Sequence, residues 1–136
     1  MTAGNISGRR LIQGAIAICF VMLAPRLRRD KPLDDSIEHV VGRRMAEIFG
    51  HPDSARRVGM EYLRERPQDA DIRVLIRHLV PDPRRLEALR ECDRAALGRF
   101  LAESTRRDFQ RGKIMSVDGW ILSETELRVC ALSALT

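Results

Sequence analysis

Apolar residues recur every three or four positions from residue 33 onward, which is the spacing of one face of an α-helix. Acidic and capping residues precede the first of these stripes, as at a helix start. The stripes comprise Ile37, Val40, Val41, Met45, Ile48 and Phe49; Val58, Tyr62 and Leu63; Ile72, Leu75, Ile76 and Leu79; and Leu86, Leu89, Leu97, Phe100, Leu101 and Phe109. We therefore expect a helical domain over residues 33–136.

Prolines and one glycine mark the ends of the predicted helices. Pro52 suits the first turn of a helix that ends before Pro67, and Pro83 suits the first turn of a later one. That later stretch is expected to break near residues 92–93 and to end at Gly112, a C-terminal capping residue. Short connections between short helices predict a compact bundle.

An extended segment is predicted over residues 113–122, before the last helix. Asp118 and Gly119 indicate a turn, and Trp120, the single tryptophan of the chain, follows directly. We expect Trp120 and Ile121 to pack across the bundle and close its core. The alternative is that Asp118, Gly119 and Trp120 form part of a surface for a partner, because tryptophan is a favoured interface residue.

The last helix is predicted to begin with a capping box. Ser123 and Glu126 have the required spacing, in which the serine hydroxyl and the glutamate carboxylate each accept a backbone N–H. Leu122 and Leu127 are placed as the accompanying hydrophobic staple. The predicted fold class is therefore all-α: a compact bundle of five or six short helices after an N-terminal hydrophobic helix, with an extended segment before the last helix.

Charge divides the chain into two parts. Residues 1–32 carry six basic side chains and one acidic side chain, whereas residues 33–136 carry 18 of each. In the second part the arginines alternate with carboxylates, which favours solvated ion-paired helix faces over a phosphate-binding face. We predict a basic, hydrophobic leader or anchor at 1–32 and a helical domain at 33–136 that does not bind nucleic acid.

The leader contains a nearly continuous apolar run at 11–24, interrupted by Gln13 and Gly14. A helix of that length spans about 21 Å, less than the ~30 Å of a bilayer core, so it suits a signal segment better than a full membrane span. The stretch SGRRLIQG resembles the leader of twin-arginine translocation substrates. The resemblance implies that Arg9 and Arg10 are read together by the export machinery. The alternative is an amphipathic or buried helix of the folded protein.

Little in the sequence indicates catalysis. His39, His51 and His78 lack metal-ligand spacing to each other or to a cysteine, and no phosphate loop or nucleophile motif is present. Cys92 and Cys130 are expected as buried thiols, with a disulfide as the alternative in an oxidising compartment. We expect no catalytic residues, no metal, no cofactor and no small-molecule substrate. A small enzyme with ligands assembled from separate helices is the remaining alternative.

The tail, DGWILSETE before CAL, resembles that of small arginine-rich proteobacterial proteins without an assigned activity. By its layout, with a twin-arginine leader before a short chain, the protein is also similar to small subunits of periplasmic flavin dehydrogenases. These resemblances imply a non-enzymatic accessory protein, exported to the periplasm or anchored in the inner membrane, that escorts or binds a larger protein partner such as an oxidoreductase. The alternative is a cytoplasmic helical domain with a regulatory or nucleic-acid-binding role.

Overall fold

A computed structural model describes residues 36–136 of the chain. The predicted leader lies outside the described residues, with Arg9, Arg10 and the expected N-terminal hydrophobic helix. Over residues 36–136 the chain forms six α-helices and one two-stranded sheet. These are α1 (Ile37–Ala46), α2 (Pro52–Glu65), α3 (Ile72–Leu79), α4 (Pro83–Glu91), α5 (Arg94–Gln110), β1 (Ile114–Val117), β2 (Trp120–Ser123) and α6 (Glu124–Leu135), with a short 3-10 turn at Pro67–Asp69.

The predicted helical bundle is confirmed for this part of the chain, with one correction to its all-α class. The segment before the last helix is an antiparallel β-hairpin, whose two strands pair from Ile114 with Ser123 to Val117 with Trp120. Asp118 and Gly119 both adopt positive φ, 51° and 79°, as a two-residue type I′ hairpin turn requires. The turn therefore folds the extended segment back on itself.

Local signals set most of the helix ends. α2 and α4 begin at prolines, and Gly112 follows α5 with a positive φ of 66°. The N-termini of α3, α4 and α5 are each capped by an aspartate carboxylate that accepts a backbone N–H from the first turn. The capping residues are Asp71, Asp82 and Asp93.

α6 lies at the centre of the domain and packs against α1, α2, α3 and α5. Leu127, Ala131 and Leu132 are fully buried along it. α2 makes the closest approach to α6, because Gly59 presents no side chain to the backbone of Cys130. None of the helices within residues 36–136 combines the length and apolar character that a bilayer-spanning helix needs.

Two arginines link helices by binding the carbonyl groups at a neighbouring helix end. Arg44 on α1 donates hydrogen bonds to the carbonyl oxygens of Leu89, Arg90 and Cys92 at the end of α4. Arg94 at the start of α5 donates to the carbonyl oxygens of Glu47 and Ile48, just beyond α1. Carbonyl groups at and just beyond a helix end lack the intrahelical N–H donors of the helix interior, and these arginines supply donors to them.

The predicted C-terminal end of α1 was wrong, and the Arg94 hydrogen bonds lie at that point. The apolar stripe extended the first helix to Phe49, but the helix ends at Ala46. Ile48 and Phe49 instead leave the helix and remain half-buried against the core. Arg94 on α5 binds the chain at the point where it leaves the helix. Because Arg94 is 46 residues away from Ile48 in the sequence, no local pattern predicts this contact.

Candidate partner-binding surface

The β-hairpin displays its side chains on two faces. Since residues alternate along a strand and cross-strand partners share a face, Val117, Trp120, Met115 and Leu122 lie on one side. Val117 is buried, and Met115 and Leu122 pack partly against the core, so this side faces the helices. Trp120 shares that side but lies next to the turn, and 68% of its surface is exposed.

The packing role predicted for Trp120 and Ile121 is therefore wrong, because both side chains are mostly exposed. The indole is on the side that faces the bundle, yet it extends beyond the helices that would cover it. Val117, its direct partner across the hairpin, fills the core position instead and is 6% exposed. Asp118 and Gly119, predicted with Trp120 as a partner surface, form the exposed turn beside it. These three residues are thus accessible together at one end of the hairpin.

A groove of about 340 Å³ lies between the hairpin and α2, and we call it the Trp120 groove. Its walls and floor are mostly apolar. They are formed by Phe49, Gly50 and His51 before α2, by Ser54, Ala55 and Val58 on α2, by Trp120 and Leu122 on β2, and by Cys130 on α6. The arrangement provides an apolar site with an exposed aromatic ring at its edge, which suits burial of an apolar side chain.

Cys130 supplies a protonated thiol to this groove. Burial is the main cause that raises the pKa of its thiol to about 12, and the nearby Glu126 carboxylate raises it further. The thiolate needed for nucleophilic attack is therefore scarce near neutral pH. Cys130 and Cys92 are both free thiols in this structure. In the Trp120 groove, Cys130 acts as a small apolar contact surface.

The apolar surface continues beyond the Trp120 groove in two directions. Ile121 and Ile114 lie on the outer side of the hairpin and are 62% and 41% exposed. On the other side of Phe49, a second apolar groove of about 390 Å³ runs between α5 and α6. Sequence analysis did not identify Phe49, Val58 or Ile121 as surface residues. Their apolar character predicted burial, whereas Ile121 is exposed and Phe49 and Val58 are only half-buried and line the Trp120 groove.

The start of α6 fixes the base of the hairpin. The Ser123 hydroxyl accepts the backbone N–H of Glu126, and the Glu126 carboxylate accepts the backbone N–H of Ser123 at 2.8 Å, which completes the predicted capping box. Asp108 on α5 adds two further hydrogen bonds, because its carboxylate accepts both the backbone N–H and the hydroxyl of Thr125. The strand that carries Trp120 therefore leads into a firmly held helix end.

The three histidines take separate positions. His39 Nδ1 lies 2.8 Å from the Ser36 hydroxyl, and His51 precedes the first turn of α2 at the edge of the Trp120 groove. His78 Nε2 lies 3.9 Å from the carboxylate of Asp69, which also accepts a hydrogen bond from the buried Tyr62 hydroxyl. Within residues 36–136, no group of three or more His, Cys, Asp or Glu side chains is placed to hold a metal ion.

Comparisons with protein-family models, with curated protein sequences and with solved structures give no match to this chain.

Proposed function

We propose that the protein is a non-enzymatic accessory protein whose helical domain binds a larger protein partner through the Trp120 groove and the adjoining hairpin. The exposure of Trp120 beside an apolar groove is the observation that carries the proposal. Tryptophan is enriched among the few residues that supply most of the binding energy of a protein interface. An apolar side chain of the partner would enter the groove and bury the indole.

The apolar surface favours a protein over a small ligand. A small molecule in the Trp120 groove would cover Trp120 but leave Ile121 and Ile114 exposed on the other side of the hairpin. A protein segment that contacts both sides would bury all three side chains. The exposed Asp118 at the turn argues against insertion of the same hairpin into a bilayer, because the charge would be buried with it.

A photo-crosslinking amino acid at position 120 tests this proposal in cells that produce the full chain. We expect a discrete crosslink to one partner, identified by mass spectrometry. The matched control carries the crosslinker at Met60, which is 61% exposed but lies about 200° around α2 from Val58 in the groove wall. Equal crosslinking at both positions, or none at position 120, would overturn the proposal.

The proposed site of action is the periplasm or the inner membrane, reached through the leader at 1–32. Arg9 and Arg10 before the apolar run support this part of the proposal. Cell fractionation of the intact chain and of a variant with both arginines replaced by lysine tests it. We expect the unmodified chain in the periplasmic or membrane fraction and the variant in the cytoplasm. Two soluble cytoplasmic proteins would contradict delivery while leaving partner binding to the crosslinking experiment.

A further inference from the structure

A further groove, of about 590 Å³ and separate from the two described above, lies between α4 and α5. Its floor is apolar and includes the buried Leu89 and Phe100, together with the half-buried Cys92 at the junction of the two helices. Its rim is basic: Arg84 and Arg85 come from α4, and Arg99 comes from α5. We call it the arginine groove. It shares no lining residue with the Trp120 groove.

The charges of α4 are sorted between two sides of the helix. Arg84 and Arg85 line the arginine groove, whereas Glu87 and Glu91 do not and both pair with Arg90 at 2.7 Å. The carboxylates that α4 contributes are therefore directed to Arg90. The arginines on the groove side have no carboxylate partner on α4.

Two carboxylates also lie on the rim, and both have partners. Asp82 accepts the backbone N–H of Arg84 as the cap of α4, and Glu103 pairs with Arg106, which lies outside this groove, at 3.0 Å. Within residues 36–136, Arg84 and Arg99 form no ion pair. Arg85 likewise has no carboxylate partner there, but its guanidinium stacks on the Phe100 ring at 5.1 Å from the ring centre.

The basic surface extends past Arg85. An adjoining depression of about 290 Å³ shares Asp82, Arg85 and Phe100 with the arginine groove and adds Arg107 to its lining. Four arginines thus line these two adjoining depressions, and the two carboxylates on the rim, Asp82 and Glu103, already have partners. Guanidinium groups bind carboxylates with paired hydrogen bonds, and a nearby apolar surface strengthens such contacts by reducing hydration.

We propose that the arginine groove binds an acidic amphipathic segment of a partner protein. Apolar side chains of that segment occupy the floor over Leu89 and Phe100, and its carboxylates pair with Arg84, Arg85 and Arg99. Charge complementarity selects this occupant. A nucleic-acid backbone is disfavoured, because it gains little from an apolar floor and its phosphates would meet Asp82 and Glu103 on the rim.

Fluorescence anisotropy with the full chain tests the proposal. The probe is a fluorescein-labelled 18-residue peptide with leucines on one helical face and glutamates on the other. We expect saturable binding that weakens with added salt, and at least tenfold weaker binding to a variant with Arg85→Glu and Arg99→Glu. The matched control carries Arg57→Glu and Arg77→Glu, two exposed positions outside both grooves, and should retain the affinity of the unmodified chain.

A second readout locates the probe. Cys92 lies in the floor of the arginine groove, so the bound peptide should slow its alkylation by iodoacetamide several-fold, measured by peptide mass spectrometry. The rate at Cys130 should not change, since that thiol lies in the other groove. This measurement needs no substitution and remains valid if the charge-reversed variant folds poorly.

Three results would overturn the proposal: equal binding of a peptide with lysines in place of the glutamates, equal loss of affinity in the control variant, or no protection of Cys92. Displacement of the probe by a DNA duplex at equal charge concentration would also overturn it and would indicate a phosphate-binding surface instead. Because the two grooves share no residues, a failure here leaves the proposed function at the Trp120 groove unchanged.

Discussion

Gly59 on α2 lies directly against the backbone of Cys130 on α6: a Cβ atom at position 59 would stand 2.0 Å from the Cys130 carbonyl oxygen. A real Cβ atom cannot approach a backbone atom so closely, so any other residue at position 59 must push the two helices apart. The contact joins the central helix to one wall of the Trp120 groove.

Gly59→Ala is therefore expected to destabilise the domain by several kcal/mol, because overpacking against a rigid backbone cannot be relieved by a side-chain rotation. Urea unfolding followed by circular dichroism measures the effect. Gly98→Ala is the matched control. Position 98 lies within α5 with open space around it, so that change should stabilise the domain by about 0.5–1 kcal/mol. Similar losses in the two variants would contradict the close packing of α2 on α6.

Arg44→Met should cost about 2–3 kcal/mol of unfolding free energy. The change keeps much of the side-chain length but removes the donors to three carbonyl groups at the end of α4. Arg57→Met, at an exposed position on α2, should remain within about 0.5 kcal/mol of the unmodified protein. Equal stability of the two variants would show that water replaces the Arg44 bonds at no cost.

Ser123→Ala should lower the stability by about 1–2 kcal/mol, because it removes the hydroxyl that caps α6. Glu126→Gln should cost less, since the amide oxygen can still accept the Ser123 N–H. Thermal unfolding of both variants measures the difference. A loss that is equal, or larger for Glu126→Gln, would mean that the charge of Glu126 matters more than the reciprocal capping bonds.

The domain should lose stability in alkaline solution. The pKa of Cys130 is raised by burial from 9.0 to about 12, and burial together with the hydrogen bond to Asp69 raises the pKa of Tyr62 above 10.0. A raised folded-state pKa gives stability that is complete below the unfolded-state value and is lost as the pH rises past it. For Cys130 the loss begins near pH 9 and continues toward pH 12. Denaturant unfolding from pH 8 to 11 should show a shallower decline for Cys130→Ala than for the unmodified chain.

Parallel declines in the two proteins would show that Cys130 does not contribute to the pH dependence. Tyr62→Phe offers a separate comparison, because it removes the other raised group while leaving the ring in the core. Its decline should begin to diverge from that of the unmodified chain only near pH 10, where the unfolded tyrosine starts to ionise.

Trp120→Ala should change the unfolding free energy by less than about 1 kcal/mol, because most of the indole is exposed. The intrinsic fluorescence of the unmodified chain should be quenched readily by acrylamide, since Trp120 is its single tryptophan. A large loss of stability, together with protection from acrylamide, would restore the packing role that the sequence suggested. Blue-shifted emission on adding the partner would report occupation of the groove.

The helices were predictable because their signals are local. Pro52, Pro83 and Gly112 act through backbone conformation and missing N–H groups, and their effects do not depend on distant residues. The capping box of α6 is local for the same reason. The hairpin was missed although its signal is also local. Asp118-Gly119 has the residues of a two-residue hairpin turn, but each flanking strand is only four residues long, too short to show a clear alternation of apolar and polar positions.

The candidate sites depend on how distant elements meet, which the sequence does not display. Mixed charge predicted ion-paired helix faces, and pairs such as Arg64 with Glu61 and Arg106 with Glu103 are present. Arg44 and Arg94 instead bind the ends of other helices. Arg85 stacks on Phe100 beside an open groove. All of these arginines lie among similar neighbours in the sequence, and only the packing of the helices separates their roles.

Arg44 and Arg94 also determine how this region of the domain opens. Detachment of α1 would remove the Arg44 donors from the end of α4, and detachment of α5 would remove the Arg94 donor from the carbonyls just beyond α1. The amide protons of these three helices should therefore exchange with solvent deuterium in a single cooperative event. We expect the three helices to unfold as one unit, linked by two arginines whose partners are backbone carbonyls rather than carboxylates.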